Sequence, residues 1–337
     1  MSPKINFHTN LEKYINGGSL SKTDFFISLF HPALPFYKNS KRIIRQFKNT
    51  NFHSGNDFES EIKIPLYAGK NEYVIRMMQY LSEHLSGDLA GAYVHGSLAN
   101  GEEIKYSDFD ALVVLKNEVF NDAERLTRVA RKLNDARKIM FEFDPLQHHS
   151  WQVLTEKDLM DYPEAYFPAK LFEYSKTLFS DKKNTLTYYH RKEQLDFLKS
   201  FLHLSESIIW KLENKRFPNN IYQLKSLLSE FMLLPSFYVQ ARDKQSIYKK
   251  NSFDEARKDF SARQWEIMNI VSEIRQQWDY DISRWQYKIM TQPNPWARHF
   301  VRHFAPPVPQ KINRLLFPKT YETMKKLALS MQHKLMK

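Results

Sequence analysis

His95-Gly96-Ser97-Leu98-Ala99-Asn100-Gly101-Glu102-Glu103-Ile104-Lys105-Tyr106-Ser107-Asp108-Phe109-Asp110-Ala111-Leu112-Val113-Val114-Leu115 is the stretch on which the fold turns. Its end, Asp110 to Leu115, reads as a buried strand, short and almost wholly apolar. Asp108 and Asp110 stand two apart at its entrance, and in extended backbone residues i and i+2 project to the same side. Two such close carboxylates repel and do not both stay ionised without a cation. The simplest cation at the head of an apolar strand is hydrated Mg²⁺, with Mn²⁺ as its substitute, because it takes carboxylate oxygens together with substrate phosphates. Two such ions can activate an attacking hydroxyl and stabilise a departing pyrophosphate oxygen.

Gly96-Ser97 supplies the other half. Leu89-Ala90-Gly91-Ala92-Tyr93-Val94 reads as a buried strand, and a glycine at its end lets the backbone turn sharply and approach a ligand. The amides that follow and the Ser97 hydroxyl can hold phosphate oxygens, the more so if Leu98 opens a short helix. Lys105 and Ser107 lie close enough in sequence to assist. Taken singly, an Asp-x-Asp pair is more often a solvated turn, and Gly-Ser is commoner still. The joint arrangement is the specific signal: a strand, Gly-Ser, ten residues, then Asp-Phe-Asp entering a second strand.

That arrangement resembles the signature of the DNA polymerase β-like nucleotidyltransferase superfamily. Gly96, Ser97, Asp108, Phe109 and Asp110 match it, while His95 stands where an apolar residue is usual. The resemblance implies a small mixed α+β sheet with flanking helices. It also implies a nucleoside triphosphate as co-substrate and two Mg²⁺ or Mn²⁺ ions. Members usually add a third acid from a neighbouring strand. Here the third extended region is expected from Ile139 to Leu154, after an amphipathic helix from Asn121 to Lys138. On one regular strand Glu142, Asp144, His148, Ser150 and Gln152 would share a polar face, with the parity at risk at Pro145. Asp144 is expected as the additional metal-binding acid, and His148 as a base or acceptor-binding group. A bland alternative keeps His148 and His149 as ordinary strand histidines.

The surrounding chain fits a two-domain layout with an N-terminal addition. Residues 1–70 are aromatic and basic and read as a helical extension; 71–185 as the catalytic domain, opened by a helix at Tyr73–Leu85; 186–337 as an all-α bundle. Candidate helices after Thr155 are Glu156–Met160, Ala169–Leu178, Gln194–Leu212, Ile221–Ala241, Phe253–Phe260, Gln264–Trp278 and Thr320–Met336. The order of sheet then bundle is similar to that of aminoglycoside-type nucleotidyltransferases that modify small molecules. That likeness points to Lys249 or Lys250 as a lysine reaching the triphosphate, with a solvated loop lysine as the alternative.

Composition narrows the classes. In 337 residues there is no cysteine, which excludes a disulfide scaffold, a thiolate zinc site and a cysteine nucleophile. The 50 Lys+Arg against 38 Asp+Glu leave a net charge of +12, which permits a polyanionic partner without choosing one. No long apolar run and no secretory leader pattern occur, so a cytoplasmic protein is expected. The short run Phe25–Phe30 and the basic C-terminal helix leave peripheral membrane contact open. The acceptor expected first is a small molecule or sugar. An RNA end or nucleotide polymer comes next, then a protein hydroxyl of toxin–antitoxin type, with a non-catalytic binding protein as the rival class. Base preference and oligomeric state are not encoded in any recognisable motif.

Overall fold

The computed structural model describes residues 58–121, 123–147, 149–164, 167–182, 184–190, 196–316 and 318–336. The basic stretch Lys41–Lys48, the run Phe25–Phe30 and His148 lie outside them. The described residues form two compact units, 58–102, 108–190 and 288–299 in the first, and 103–107, 196–287 and 300–336 in the second.

The first unit opens with β1 (Phe58–Lys63) and α1 (Glu72–Leu85). Asn71 caps α1 by accepting from the Tyr73 and Val74 amides, and Val74, Met77, Leu81 and Leu85 form its buried stripe. Next come β2 (Leu89–Val94), the short α2 (Ser97–Asn100) and β3 (Ala111–Leu115). Then follow α3 (Ala123–Phe143), β4 (Gln152–Thr155), α4 (Glu156–Met160), β5 (Lys176–Ser180) and β6 (Thr185–His190). The main sheet has the order β4-β3-β2-β5; β3 runs parallel to β4, and β2 antiparallel to both β3 and β5. β1 and β6 pair separately as an antiparallel ribbon. The mixed sheet follows from the connections: the one through α2 returns the chain as the antiparallel β2/β3 pair, and the α3 crossover gives the parallel β3/β4 pair.

β3 is the centre of the unit. Ala111, Val113 and Leu115 enter the cluster that includes α1 and α3 residues, while Leu112 and Val114 enter the opposite cluster with Tyr93, Phe167 and Phe172. A strand buried on both faces reads as a continuous apolar run, which is why this stretch is so legible. Full burial of Leu112, Val113, Val114 and Leu115 contributes about 1.5–3 kcal/mol each, so the strand that the two acids lead into is among the firmest parts of the unit.

Among the described residues the second unit contains no strand. Its helices are α5 (Phe197–Glu213), α6 (Ile221–Phe231), α7 (Leu234–Asp243), α8 (Lys249–Arg257) and α9 (Ala262–Gln276). α10 (Arg284–Met290) and α11 (Pro295–Phe304) are shared between the units, and α12 (Gln310–Asn313) and α13 (Pro318–Leu335) complete the second. α5 packs on α7 and α13, and α9 packs on α13. Ser261 and Gln264 form a reciprocal capping box at the start of α9. No helix among the described residues is long and apolar enough to cross a membrane. The fold is therefore α+β: a small mixed sheet with flanking helices, followed by a helical region.

Several expectations are corrected. Residues 139–143 are helical, not extended, because Leu133, Ala136, Arg137, Met140 and Phe141 recur at helical spacing on one buried face. The third strand is only Gln152–Thr155. The expected helix Ala169–Leu178 is a short 3-10 helix, Ala169–Tyr174, followed by β5. Ile221–Ala241 is two helices, broken just before Pro235, whose ring is tolerated only in a first turn. By compactness, residues 103–107 group with the helical unit and 288–299 with the sheet unit. β1 lies within residues 1–70 and belongs to the first unit.

Candidate active site

Gly96 and the two aspartates are built by the β2/β3 hairpin. The ladder that pairs Val94 with Ala111 continues one step further, where His95 N–H donates to the Asp110 carbonyl at 3.0 Å. Gly96 then adopts φ +71°, ψ −150°, a conformation that side-chain-bearing residues rarely take. A Cβ placed on it would stand 3.1 Å from Asp110 Oδ2, so the absence of a side chain lets this peptide lie against the carboxylate. Ser97 begins α2, which Gly101 ends in the left-handed conformation while donating to the Ser97 carbonyl. Asn100 Nδ2 donates to the Gly96 carbonyl at 3.3 Å.

Asp108 and Asp110 are each half-buried, and Phe109 between them is buried in the core cluster. Phe109 meets Phe143 edge to face at 6.0 Å. Its parity matches that of Ala111, Val113 and Leu115, so the acid-aromatic-acid triplet continues the strand's alternation beyond its assigned end. The Phe109 peptide groups are served by Gln147, whose side chain accepts from Phe109 N–H at 2.9 Å and donates to its carbonyl at 3.0 Å. His95, the departure from the usual pattern, has Nε2 2.9 Å from Gln152 Oε1 and its ring edge-on to Phe167 at 5.3 Å. Its polar end thus meets the first residue of β4, and its ring remains in apolar company.

The other expected residues have different surroundings. Asp144 does not lie on a strand. It follows α3, is 3% exposed, and its Oδ1 accepts from Leu146 N–H at 3.1 Å, closing the turn that ends in Gln147. The shared-face argument that grouped it with Glu142 and His148 therefore fails: Glu142 is helical and pairs with Arg76 at 2.6 Å. Among the described residues no group of three or more His, Asp or Glu is placed to hold a metal ion. Lys105 and Ser107 belong to the second unit. Lys105 pairs with Asp279 at 2.9 Å, and its hydrogen bond holds the Asp279 carboxyl below the usual carboxylate range. Ser107 Oγ accepts from Ile104 N–H at 3.0 Å. Lys249 and Lys250 form the first turn of α8 in the second unit, and Tyr248 rather than a lysine occupies its cap position.

Gln147, Gln152 and Arg298 were not legible as site residues. Arg298 comes from α11, within the segment that returns to the first unit. Its Nη1 lies 3.3 Å from the Gln147 carbonyl and 3.5 Å from that of Pro145, and its guanidinium stacks on Phe141 at 3.8 Å. The only available signal for Gln147 was its place in a polar run after a helix-terminating proline.

The donor set suits a hard ion. Asp108 and Asp110 offer two carboxylates, and Mg²⁺ is commonly held by one or two carboxylates with water and substrate phosphate completing its shell. A closed all-protein cage is not needed for such an ion. Residues 75–176 match the model of the nucleotidyltransferase domain family. No curated protein matches the chain. Among solved structures, the spectinomycin adenyltransferase of Enterococcus faecialis, crystallised with ATP and spectinomycin, aligns at 12% identity and a TM-score of 0.32, over 68% of this chain and 100% of that one.

Proposed function

We propose, for a chain whose residues 75–176 match the nucleotidyltransferase domain model, that it moves a nucleoside monophosphate from a triphosphate to an acceptor hydroxyl. The acceptor oxygen bonds to the α-phosphorus, the bond to the β-phosphate oxygen breaks, and pyrophosphate leaves with that electron pair. The products are the nucleotidylated acceptor, pyrophosphate and the proton of the hydroxyl.

The observation that carries this reading is the approach of Gly96 to Asp110, within 3.1 Å of where a side chain would begin. A phosphate held by the Gly96–Ser97 peptides lies beside the carboxylates of the Asp-Phe-Asp segment. Asp108 and Asp110 would hold Mg²⁺, which supplies charge neutralisation at the phosphates and activation of the attacking oxygen. The chain's own contribution is positioning: a buried strand and two backbone anchors keep the acids fixed before substrate arrives.

We place a small-molecule hydroxyl first as acceptor, on the order of sheet and helical region. The deciding experiment incubates the purified protein with each labelled triphosphate, Mg²⁺ and a cell extract, then identifies the labelled product. A labelled small molecule is the expected result. Labelled RNA or protein redirects the acceptor, and absence of any transfer by wild type, or full transfer by Asp108→Asn with Asp110→Asn, overturns the function.

A further inference from the structure

Phe109 is the residue between the two acids, and its main chain lies just before the assigned start of β3. On one side the sheet still reaches this segment, through His95 N–H to the Asp110 carbonyl. On the other side it does not, because β4 begins only at Gln152, paired with Leu112. The Phe109 N–H and carbonyl on that side lie in a dry region: Phe109 is 1% exposed and Gln147 is fully buried. Left unpaired, each buried peptide group would cost about 1–3 kcal/mol.

Gln147 fills both positions. A carboxamide carries one acceptor and one donor side by side, the same pair that a neighbouring strand would present. Oε1 accepts from Phe109 N–H at 2.9 Å and Nε2 donates to the Phe109 carbonyl at 3.0 Å. Nε2 also stands 3.4 Å from the His149 carbonyl, which fixes which end of the amide is nitrogen. Gln147 is itself held. Its N–H donates to the Asp144 carbonyl at 3.0 Å, and its carbonyl receives Arg298 Nη1 at 3.3 Å. The turn that presents it is closed by the Asp144 carboxylate.

We infer that Gln147 is the positioning residue for Asp108 and Asp110, acting as a one-residue substitute strand that fixes the backbone from which both carboxylates project. The inference rests on the nucleotidyl-transfer reading above. It assigns Gln147 no contact with substrate or ion. With the Phe109 peptide tied to Gln147 and the Asp110 carbonyl tied to His95, the two acids cannot swing apart by rotation of the main chain. A small rotation there would move the acids by a fraction of their length, and misplacement of about 1 Å costs about a hundredfold in rate.

The test uses Gln147→Met, which removes both hydrogen bonds at nearly constant volume, and Trp151→Phe as a control. Trp151 Nε1 donates to the Leu133 carbonyl at 2.9 Å, so that variant loses a buried hydrogen bond near the same turn without touching Phe109. For Gln147→Met, kcat is expected to fall about tenfold or more, with KM for the triphosphate changed by less than about threefold. The Phe109 amide is expected to exchange slowly with deuterium in wild type and much faster in Gln147→Met. The gain in affinity for a non-hydrolysable triphosphate on adding Mg²⁺ is expected to drop about fivefold, with Mg²⁺-free affinity retained. Trp151→Phe is expected to keep kcat and the Mg²⁺ gain within about twofold. A wild-type Mg²⁺ gain in Gln147→Met, or equal losses in both variants, overturns the positioning role. A wild-type protein that gains nothing from Mg²⁺ overturns the nucleotidyl-transfer reading, and the positioning role with it.

Discussion

Gly96 and Asp110 approach so closely that a methyl group on the first would press, at 3.1 Å, on the carboxylate of the second. The contact is possible because the backbone at Gly96 sits at φ +71°. Gly96→Ala meets two obstacles, an unfavourable backbone region and the carboxylate itself. It is expected to lower stability by about 1–3 kcal/mol and to reduce kcat disproportionately. Thermal unfolding and single-turnover transfer on the same preparation separate the two effects. Wild-type kcat with wild-type stability would show that the close approach is incidental.

Tyr106, two residues before Asp108, is held in the helical unit. Its hydroxyl lies 2.9 Å from the Lys225 carbonyl and 2.8 Å from Ser229 Oγ, and its ring meets Trp278 edge-on at 4.8 Å. Tyr106→Phe keeps the ring but leaves a buried carbonyl without this donor, so a loss of about 1–2 kcal/mol in chemical denaturation is expected. Tyr106→Ala also removes the ring contacts and is expected to cost about 3–5 kcal/mol. Equal losses in the two variants would place the value of this residue in its hydroxyl alone.

The helical unit should weaken in acid through Asp259. Burial opposes ionisation of this carboxyl, but hydrogen bonds from Arg242 at 2.6 Å and Tyr238 at 2.8 Å hold it below the ordinary value. A carboxyl depressed in the folded state contributes stability that is fully present above its unfolded value, about pH 3.9, and is lost as pH falls through the folded one. Asp259→Asn is therefore expected to be less stable than wild type at neutral pH, by about 2 kcal/mol. The gap should begin to narrow below about pH 4 and close as pH falls through the depressed folded value. A gap independent of pH, measured by denaturant titration across that range, would assign the loss to packing.

Arg298→Lys keeps the charge but loses the flat face that lies on Phe141 and the Nη1 group that reaches two carbonyls. Stability is expected to fall by about 1–2 kcal/mol. Deuterium exchange at Phe109 should quicken, though less than in Gln147→Met. Unchanged exchange would detach Arg298 from the turn that carries Gln147.

How much of this the sequence revealed depends on whether a residue's surroundings were local. The β2 and β3 strands were legible because both are continuous apolar runs ending in polar punctuation, and the spacing of Gly96, Ser97, Asp108 and Asp110 carried the domain family. Phe141-Glu142-Phe143 misled, since apolar-acid-apolar alternation over three residues fits a strand as well as the last turn of a helix. What decided the matter was the longer stripe from Leu133 to Phe141, which three residues cannot display. Gln147 was illegible for a different reason. A glutamine in a polar run looks like loop, and its value lies entirely in which peptide it meets after folding. Arg298 was hidden further still, inside a segment that sequence order assigns to the helical region.

The hydrogen bond from Arg298 to Gln147 joins positions 151 residues apart. During synthesis, Gly96, Asp108, Asp110 and Gln147 all leave the ribosome long before Arg298 does. The nascent chain therefore holds every residue of the motif for an extended period in which the turn carrying Gln147 lacks its far brace. Contacts of such high sequence separation form late, because a long loop must close before they return anything. The brace on the proposed site is thereby tied to synthesis of α11, and a chain interrupted before that helix would display the signature without the support that holds it in shape.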